Sequence, residues 1–306
     1  MTFSAEVKNE LCKEAPHRSC CARAEAYGIL LYANTFSSAE VRIITESESL
    51  AKRLPRLFQK AFHLEFDQQP SAKEVGKGKV IFQITEREKL EEIINILGFD
   101  ASRFSALHVN FGLLEEKCCQ SAFLRGAFLA GGSVIDPQKR YHMELVTSHN
   151  KVSREMEALL TEMGYQPRSV LRNGTHVIYF KQSKAIEELL TQMGASVSAL
   201  DIMTAKVEKD LSNRINRRVN CEAANVIKAV DAAQEQLSAI RSLAESGALE
   251  NLPPQLQETA IARMYYPEFT LTELAATFEP PISKSCLNHR MRKLMSLARS
   301  KQDTEE

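Results

Sequence analysis

Apolar positions along the chain alternate between a helical and a strand period, and the alternation occurs twice. CCARAEAYGILLYANTF (20–36) reads as a helix, VRIITES (41–47) as a strand and SLAKRLPRLFQKAF (49–62) as a helix. KVIFQI (79–84) then reads as a strand and EEIINILGF (91–99) as a helix ended by Gly98. The same order returns in CCQSAFLRGAFLAGGSV (118–134), MELVTSH (143–149), SREMEALLTEMGY (153–165), HVIYFK (176–181) and EELLTQMGA (187–195), the last ended by Gly194. The leading segments align without gaps, matching Cys20 with Cys118, Cys21 with Cys119, Ala24 with Ala122, Gly28 with Gly126 and Leu31 with Leu129. After each leading helix there is room for a hairpin, in FSSAEVRI and in SVIDPQKRYHMEL, where Asp136-Pro137 suits the start of a turn. Residues 1–205 are therefore expected to form an α+β domain of two duplicated halves related by a pseudo-twofold.

Beyond residue 205 the strand character disappears. Residues 206–250 read as a helical linker of one or two long helices. Arg214, Arg217 and Arg218 form a basic cluster there that fits either DNA backbone or a solvated face. Asn213, Asn216 and Asn220 suggest a break or a polar contact beside it. Residues 251–306 are expected to be an all-α domain. Pro254 opens one helix, and Thr270 with Glu273 makes a capping box for a short second one. Pro280 and Pro281 force a turn, and Ser283 caps a longer final helix. In that helix Leu287, Met291, Leu294 and Ala298 make one apolar stripe.

Chemistry enters at the leading helices. GAFLAGGS (126–133) has the shape of the LAGLIDADG homing-endonuclease motif, roughly GLIDADGS, with Leu129 and Gly131 in place of its acids. Small residues at Gly28, Gly126 and Ala130 let two helix backbones approach closely and form a seam between the halves. In those nucleases the ends of the seam helices each deliver a carboxylate to Mg2+, a hard ion that takes oxygen ligands. Here the matching positions are Ala33 and Gly131, Asp136 lies too late and Glu25 about two helical turns too early. No catalytic residue, metal ligand or cofactor is assigned, and the chain is not expected to be an enzyme.

The seven cysteines include two adjacent pairs but no Cys-x-x-Cys, and the seven histidines lack ligand spacing. They are expected to be reduced, buried packing residues, as in a cytoplasmic protein. No apolar run approaches the about 20 residues needed to span a bilayer.

Net charge is zero, so there is no global electrostatic case for nucleic acid, but the charge is segregated. Every charged residue from Ser283 to Lys301 is positive. A short helix, a tight turn and a helix with polar and basic first turns make a helix-turn-helix. Its candidate DNA-binding residues are Ser283, Lys284, Ser285, Asn288, His289, Arg292 and Lys293. Asn and Arg suit base edges, whereas Lys284, Lys293 and Ser285 suit phosphates. Arg42, Lys139, Arg140, Arg168, Arg172 and Lys181 fall on strands and loops of the duplicated domain. They fit a DNA-facing saddle or an ordinary solvated surface, and Glu40, Glu46 and Glu144 weigh against a strong phosphate-binding face.

Taken together, FLRGAFLAGGSV, NRRVNCEAANVIKAVDAAQEQL and PPISKSCLNHRMRKL, with the opening FSAEVKNEL and the CCARAE stretch, resemble the WhiA-type transcription regulators nearly end to end. The resemblance implies a bacterial double-stranded-DNA-binding protein with a degenerate LAGLIDADG-like domain and a C-terminal helix-turn-helix similar to the promoter-reading region of sigma factors. It also implies a nucleoid-associated role in sporulation, cell division or chromosome segregation, and a WhiB-type iron-sulfur regulator or RNA polymerase as partner. Two other readings use the same residues: a nucleoid or division-associated protein with non-specific DNA affinity, and a LAGLIDADG-type nuclease or maturase.

Overall fold

The computed structural model describes residues 1–16, 18–100 and 106–305, with side chains to residue 300. Their contacts define two compact units, Met1–Asp210 and Leu211–Glu306.

The first unit opens with α1 (Phe3–Leu11), whose Thr2 side chain accepts from the Ala5 amide. Its first half follows as α2 (Ser19–Leu31), β1 (Thr35–Phe36), β2 (Val41–Thr45), α3 (Glu48–Phe62), β3 (Val80–Ile84) and α4 (Arg87–Ile96). The second half is α5 (Lys117–Gly131), β4 (Gly132–Val134), β5 (Met143–Thr147), α6 (Asn150–Glu162), β6 (Arg168–Arg172), β7 (Thr175–Phe180) and α7 (Ser183–Met193). Both sheets are antiparallel, in the orders β1-β2-β3 and β4-β5-β7-β6. The expected hairpins are present, and the Asp136 carboxylate accepts from the Gln138 amide to start the second turn. Strand β6 is the element without a full counterpart. In the first half a single bridge between Gln68 and Gln83 stands at the edge of β3, where β6 pairs along β7.

Alternation puts Val41 and Ile43, Val80, Phe82 and Ile84, and Met143 and Leu145 inside. α2 and α5 lie within this core, apolar on nearly every side, as a fully buried helix must be. Their crossing is close enough to touch backbone to backbone. A Cβ on Gly28 would lie 2.2 Å from the Phe123 carbonyl oxygen and 2.8 Å from the Ala127 amide nitrogen. One on Gly126 would lie 2.0 Å from the Glu25 carbonyl oxygen and 3.0 Å from the Ile29 amide nitrogen. Glu25 and Ile29 are the repeat counterparts of Phe123 and Ala127. The contact is therefore self-complementary, which is the mark of a twofold relation between halves.

A surface carboxylate secures the turn from β3 into α4. Asp67 accepts from the amides of Thr85 (2.6 Å) and Glu86 (2.8 Å) and pairs with Lys89. Partial burial opposes its ionisation, but Lys89 and the two amides outweigh this and hold the carboxyl down at about 2. A depressed carboxylate stabilises the fold above its ordinary pKa and loses that contribution as pH falls through the folded value. Asp67→Asn is accordingly expected to lower the thermal midpoint at pH 6, with the gap from the parent closing as pH approaches 2.

α8 (Ser196–Glu245) is one continuous helix of 50 residues. The break suggested by Asn213, Asn216 and Asn220 does not occur. No Gly or Pro lies between Gly194 and Gly247, and three Asn residues cost only about 0.7 kcal/mol each against Ala, too little to end a helix so long. Arg214, Arg217 and Arg218 are exposed on it, Arg218 paired with Glu222 at 2.9 Å.

In the second unit α9 (Pro254–Tyr265), α10 (Leu271–Ala276) and α11 (Lys284–Glu305) enclose a separate core with the last turns of α8. Ile240, Leu243, Leu256, Ala260, Leu274, Phe278, Leu287, Met291 and Leu294 fill it. Among the described residues no helix is long and apolar enough to cross a membrane.

Candidate nucleic-acid interface

Two regions bear on function: the carboxyl ends of the seam helices, where LAGLIDADG nucleases hold metal, and the surface of α11.

Neither seam end carries a metal-holding side chain, and at Gly131 there is no room for one. A Cβ on Gly131 would lie 2.6 Å from both the Tyr32 ring and the Val146 carbonyl oxygen. Its counterpart Ala33 lines a cleft of about 470 Å3 with Tyr32, Asn34, Glu46, Lys79 and Ala130. Glu46 is the one carboxylate among the described lining residues, and it lies 3.8 Å from the Lys79 ammonium. Asn34 is occupied by the backbone, accepting from the Ile44 amide at 2.8 Å. Glu25 is fully committed elsewhere. It is completely buried and accepts from Arg53 (2.5 and 2.7 Å) and Arg125 (3.1 Å). The two guanidiniums in turn donate to the carbonyls of Cys12 (2.9 Å) and Met193 (2.7 Å), at the carboxyl ends of α1 and α7. Excess positive charge at helix carboxyl ends is well placed against the macrodipole.

The outward faces of the sheets carry mixed charge. Arg168, Tyr179 and Glu144 stand in one cross-strand row, with Arg172 3.8 Å and His142 3.2 Å from the Glu144 carboxylate. Lys181 lies over the Tyr179 ring, and in the first sheet Gln83 donates to Glu40 at 2.7 Å. The basic residues of this face thus share it with acids, and the expected weakness of a phosphate-binding surface there has a structural counterpart.

The C-terminal unit is arranged differently. Thr270 and Glu273 form the expected reciprocal capping box, which fixes the start of α10. Ser283 accepts from the Cys286 amide at 3.2 Å and caps α11. All four residues of the apolar stripe, Leu287, Met291, Leu294 and Ala298, are buried, which fixes the rotation of α11 about its axis. That rotation turns Lys284, Ser285, His289, Arg292 and Lys293 to solvent, with Ser283 at the mouth and Asn288 half-buried between them. Ser285, Asn288 or His289, and Arg292 follow i, i+3/i+4, i+7 on one exposed face, the spacing that lays side chains along a groove. The helix amino terminus adds its own free amides for a phosphate.

One detail departs from the sequence reading, and one residue outside the candidate set has a structural role. The connection from α10 to α11 runs over residues 277–283, longer than the three or four residues of a tight helix-turn-helix, because Phe278 is drawn into the core before the chain turns. Arg290, one of three basic residues of this helix left out of the candidate set, faces inward. Its guanidinium lies over the Phe278 ring at 5.9 Å and 3.9 Å from Glu258, tying α11 to α9.

The cysteine expectation also needs correction. All seven are free thiols, but Cys20, Cys118, Cys221 and Cys286 are exposed rather than packed inside. The amino-terminal turns of α2 and α5 are only half enclosed by the core, so the first cysteine of each pair reaches solvent.

Comparison with known proteins agrees with this architecture. The family models of the WhiA LAGLIDADG-like domain and the WhiA C-terminal HTH domain match residues 120–212 and 215–298. A probable cell division protein WhiA of Alkaliphilus metalliredigens is 34% identical, over 97% of this chain and 98% of that protein. One from Desulforamulus reducens is 36% identical, over 97% and 95%. The crystal structure of full-length DUF199/WhiA from Thermatoga maritima shares the fold, with a TM-score of 0.61, 22% identity, and coverage of 98% of this chain and 99% of that one. With end-to-end identity above 30% and both domain models matched in order, this chain belongs to the WhiA family.

Proposed function

We propose that this chain is a sequence-specific DNA-binding transcription regulator that acts in cell division, with α11 as its reading helix. The observation that carries this is the fixed orientation of α11. Its apolar stripe is wholly buried, so Ser283, Lys284, Ser285, Asn288, His289, Arg292 and Lys293 present one polar, acid-free face. Asn288 and Arg292 are suited to adenine and guanine edges in the major groove, and Lys284 and Lys293 to flanking phosphates. Residues 251–306 are the reading head, residues 206–250 carry it, and residues 1–205 are a nuclease-derived scaffold that adds contacts or docks a partner. The family resemblance points to a WhiB-type iron-sulfur regulator or RNA polymerase for that partner, to chromosome segregation and sporulation as related roles, and to the nucleoid in the cytoplasm as the location.

Enzymatic activity is not part of this reading, because the seam ends offer Ala33 and a Gly131 without side-chain room. Incubating the full chain with Mg2+ and duplex DNA is expected to leave the DNA intact; cleavage that persists through repurification would overturn this part.

Selection of duplexes from a random pool by the full chain is expected to return a defined motif, and an unenriched pool would favour the non-specific nucleoid reading. On the selected duplex, Lys284→Ala is expected to weaken binding to all sequences alike. The slope of log affinity against log salt should flatten by about one unit, the signature of one lost phosphate contact. A change of motif with an unaltered salt slope would assign Lys284 to the bases instead.

A further inference from the structure

The seam has a second end. At its amino-terminal side the sulfurs of Cys20, Cys21, Cys118 and Cys119 all lie within 4.8 Å of one another, the only group of three or more metal-ligating side chains brought together among the described residues. They stand in the first turns of α2 and α5, two from each, at equivalent positions of the repeat. Thiol contacts cross the seam in both diagonals, Cys20 with Cys119 and Cys21 with Cys118. Cys21 and Cys119 are buried, whereas Cys20 and Cys118 are exposed, so the group has an inner wall and an open mouth.

We propose that these four cysteines bind one thiophilic divalent cation, zinc, as a four-thiolate centre on the pseudo-twofold axis. Size selects a single ion. Four sulfurs at about 2.3 Å from zinc are about 3.8 Å apart, so the observed group needs only a small contraction to close on it. A multinuclear iron-sulfur cluster would hold its sulfurs much farther apart. Charge is accommodated as well. Binding releases four thiol protons and leaves a centre of net charge −2, which faces the positive ends of two helix dipoles. Neither helix has an acidic residue in its first turn, and neither Arg18 nor Glu116 uses its side chain as a cap, so no side-chain acceptor is hydrogen-bonded to the first amides of either helix. The centre would join the two halves at the opposite end of the seam from the lost nuclease site. Its ligands would be soft sulfur, where the nuclease site of that fold uses hard oxygen.

The test uses the full reduced chain, metal-stripped and then titrated with Co2+ as a spectroscopic probe and Zn2+ as competitor. We expect one Co2+ per chain, with the visible bands of a tetrahedral thiolate complex that Zn2+ bleaches. Zinc should raise the unfolding temperature by on the order of 5 °C. The paired variant Cys20→Ser with Cys118→Ser alters only exposed positions; it should fold as the parent does, lose the bands and lose the zinc-dependent rise. Three results would overturn the proposal: no stoichiometric Co2+ with all thiols reduced, thiolate bands that survive in the paired variant, or a cross-seam disulfide in protein prepared without air.

Discussion

Gly126→Ala is expected to remove the folded N-terminal unit from solution. One added methyl group would sit 2.0 Å from the Glu25 carbonyl oxygen and 2.9 Å from its carbon. The neighbour is helix backbone, with no rotamer to yield, so α2 and α5 would have to separate along their whole crossing. Overpacking a core costs about 1–3 kcal/mol where side chains can rearrange. Here they cannot, and the loss should exceed that range, a large part of a typical stability of roughly 5–15 kcal/mol. Gly28→Ala, its counterpart, should behave in the same way, since its Cβ meets the Phe123 carbonyl oxygen at 2.2 Å. Soluble yield and thermal unfolding read the outcome. Either variant unfolding within a few degrees of the parent would show that the seam is looser than described.

The second large effect lies at Glu25. Its carboxylate compensates two guanidiniums, Arg53 and Arg125, of which less than a tenth is exposed. Glu25→Ala leaves both cations without a counter-charge, and breaking a buried pair from one side costs about 3–5 kcal/mol. The loss spreads because the same guanidiniums satisfy the carboxyl ends of α1 and α7. Chemical denaturation should show the midpoint falling while the seam sequence itself is intact. A shift below about 1 kcal/mol would mean that water reaches the triad. The residue is placed for stability, so its variant should bind DNA normally at temperatures where it remains folded.

The repeat made most of this architecture legible in the sequence. Ungapped matches at Gly28 and Gly126 identified the seam, and the apolar and β-branched content of VRIITES and MELVTSH marked β2 and β5 as strands. The stripe Leu287, Met291, Leu294 and Ala298 marked the exposed side of α11. What escaped depended on tertiary pairing. Adjacent cysteines are poor ligands in isolation, and only the crossing of α2 and α5 brings the second pair to the first. The alignment of Cys20 with Cys118 was the available signal, because residues matched across a seam lie near its axis. The candidate set took Arg292 and left out Arg290, and the contacts of Arg290 with Phe278 and Glu258 agree with that choice. The single bridge at Gln68 in place of a full counterpart of β6, and the long connection before α11 in which Phe278 enters the core, are local features that no period encodes.

The central claim is that sequence is read by α11 while the duplicated domain supports it. Affinity of the full chain for its selected duplex and for a scrambled one, compared among variants, tests this most directly. Asn288→Ala and Arg292→Ala are each expected to cost about 1–3 kcal/mol on the selected duplex and to relax the preference at one position. Arg168→Ala with Arg172→Ala on β6 should leave the discrimination between the two duplexes unchanged. The opposite pattern, discrimination intact in the α11 variants and lost in the β6 pair, would place recognition on the sheets and contradict the account.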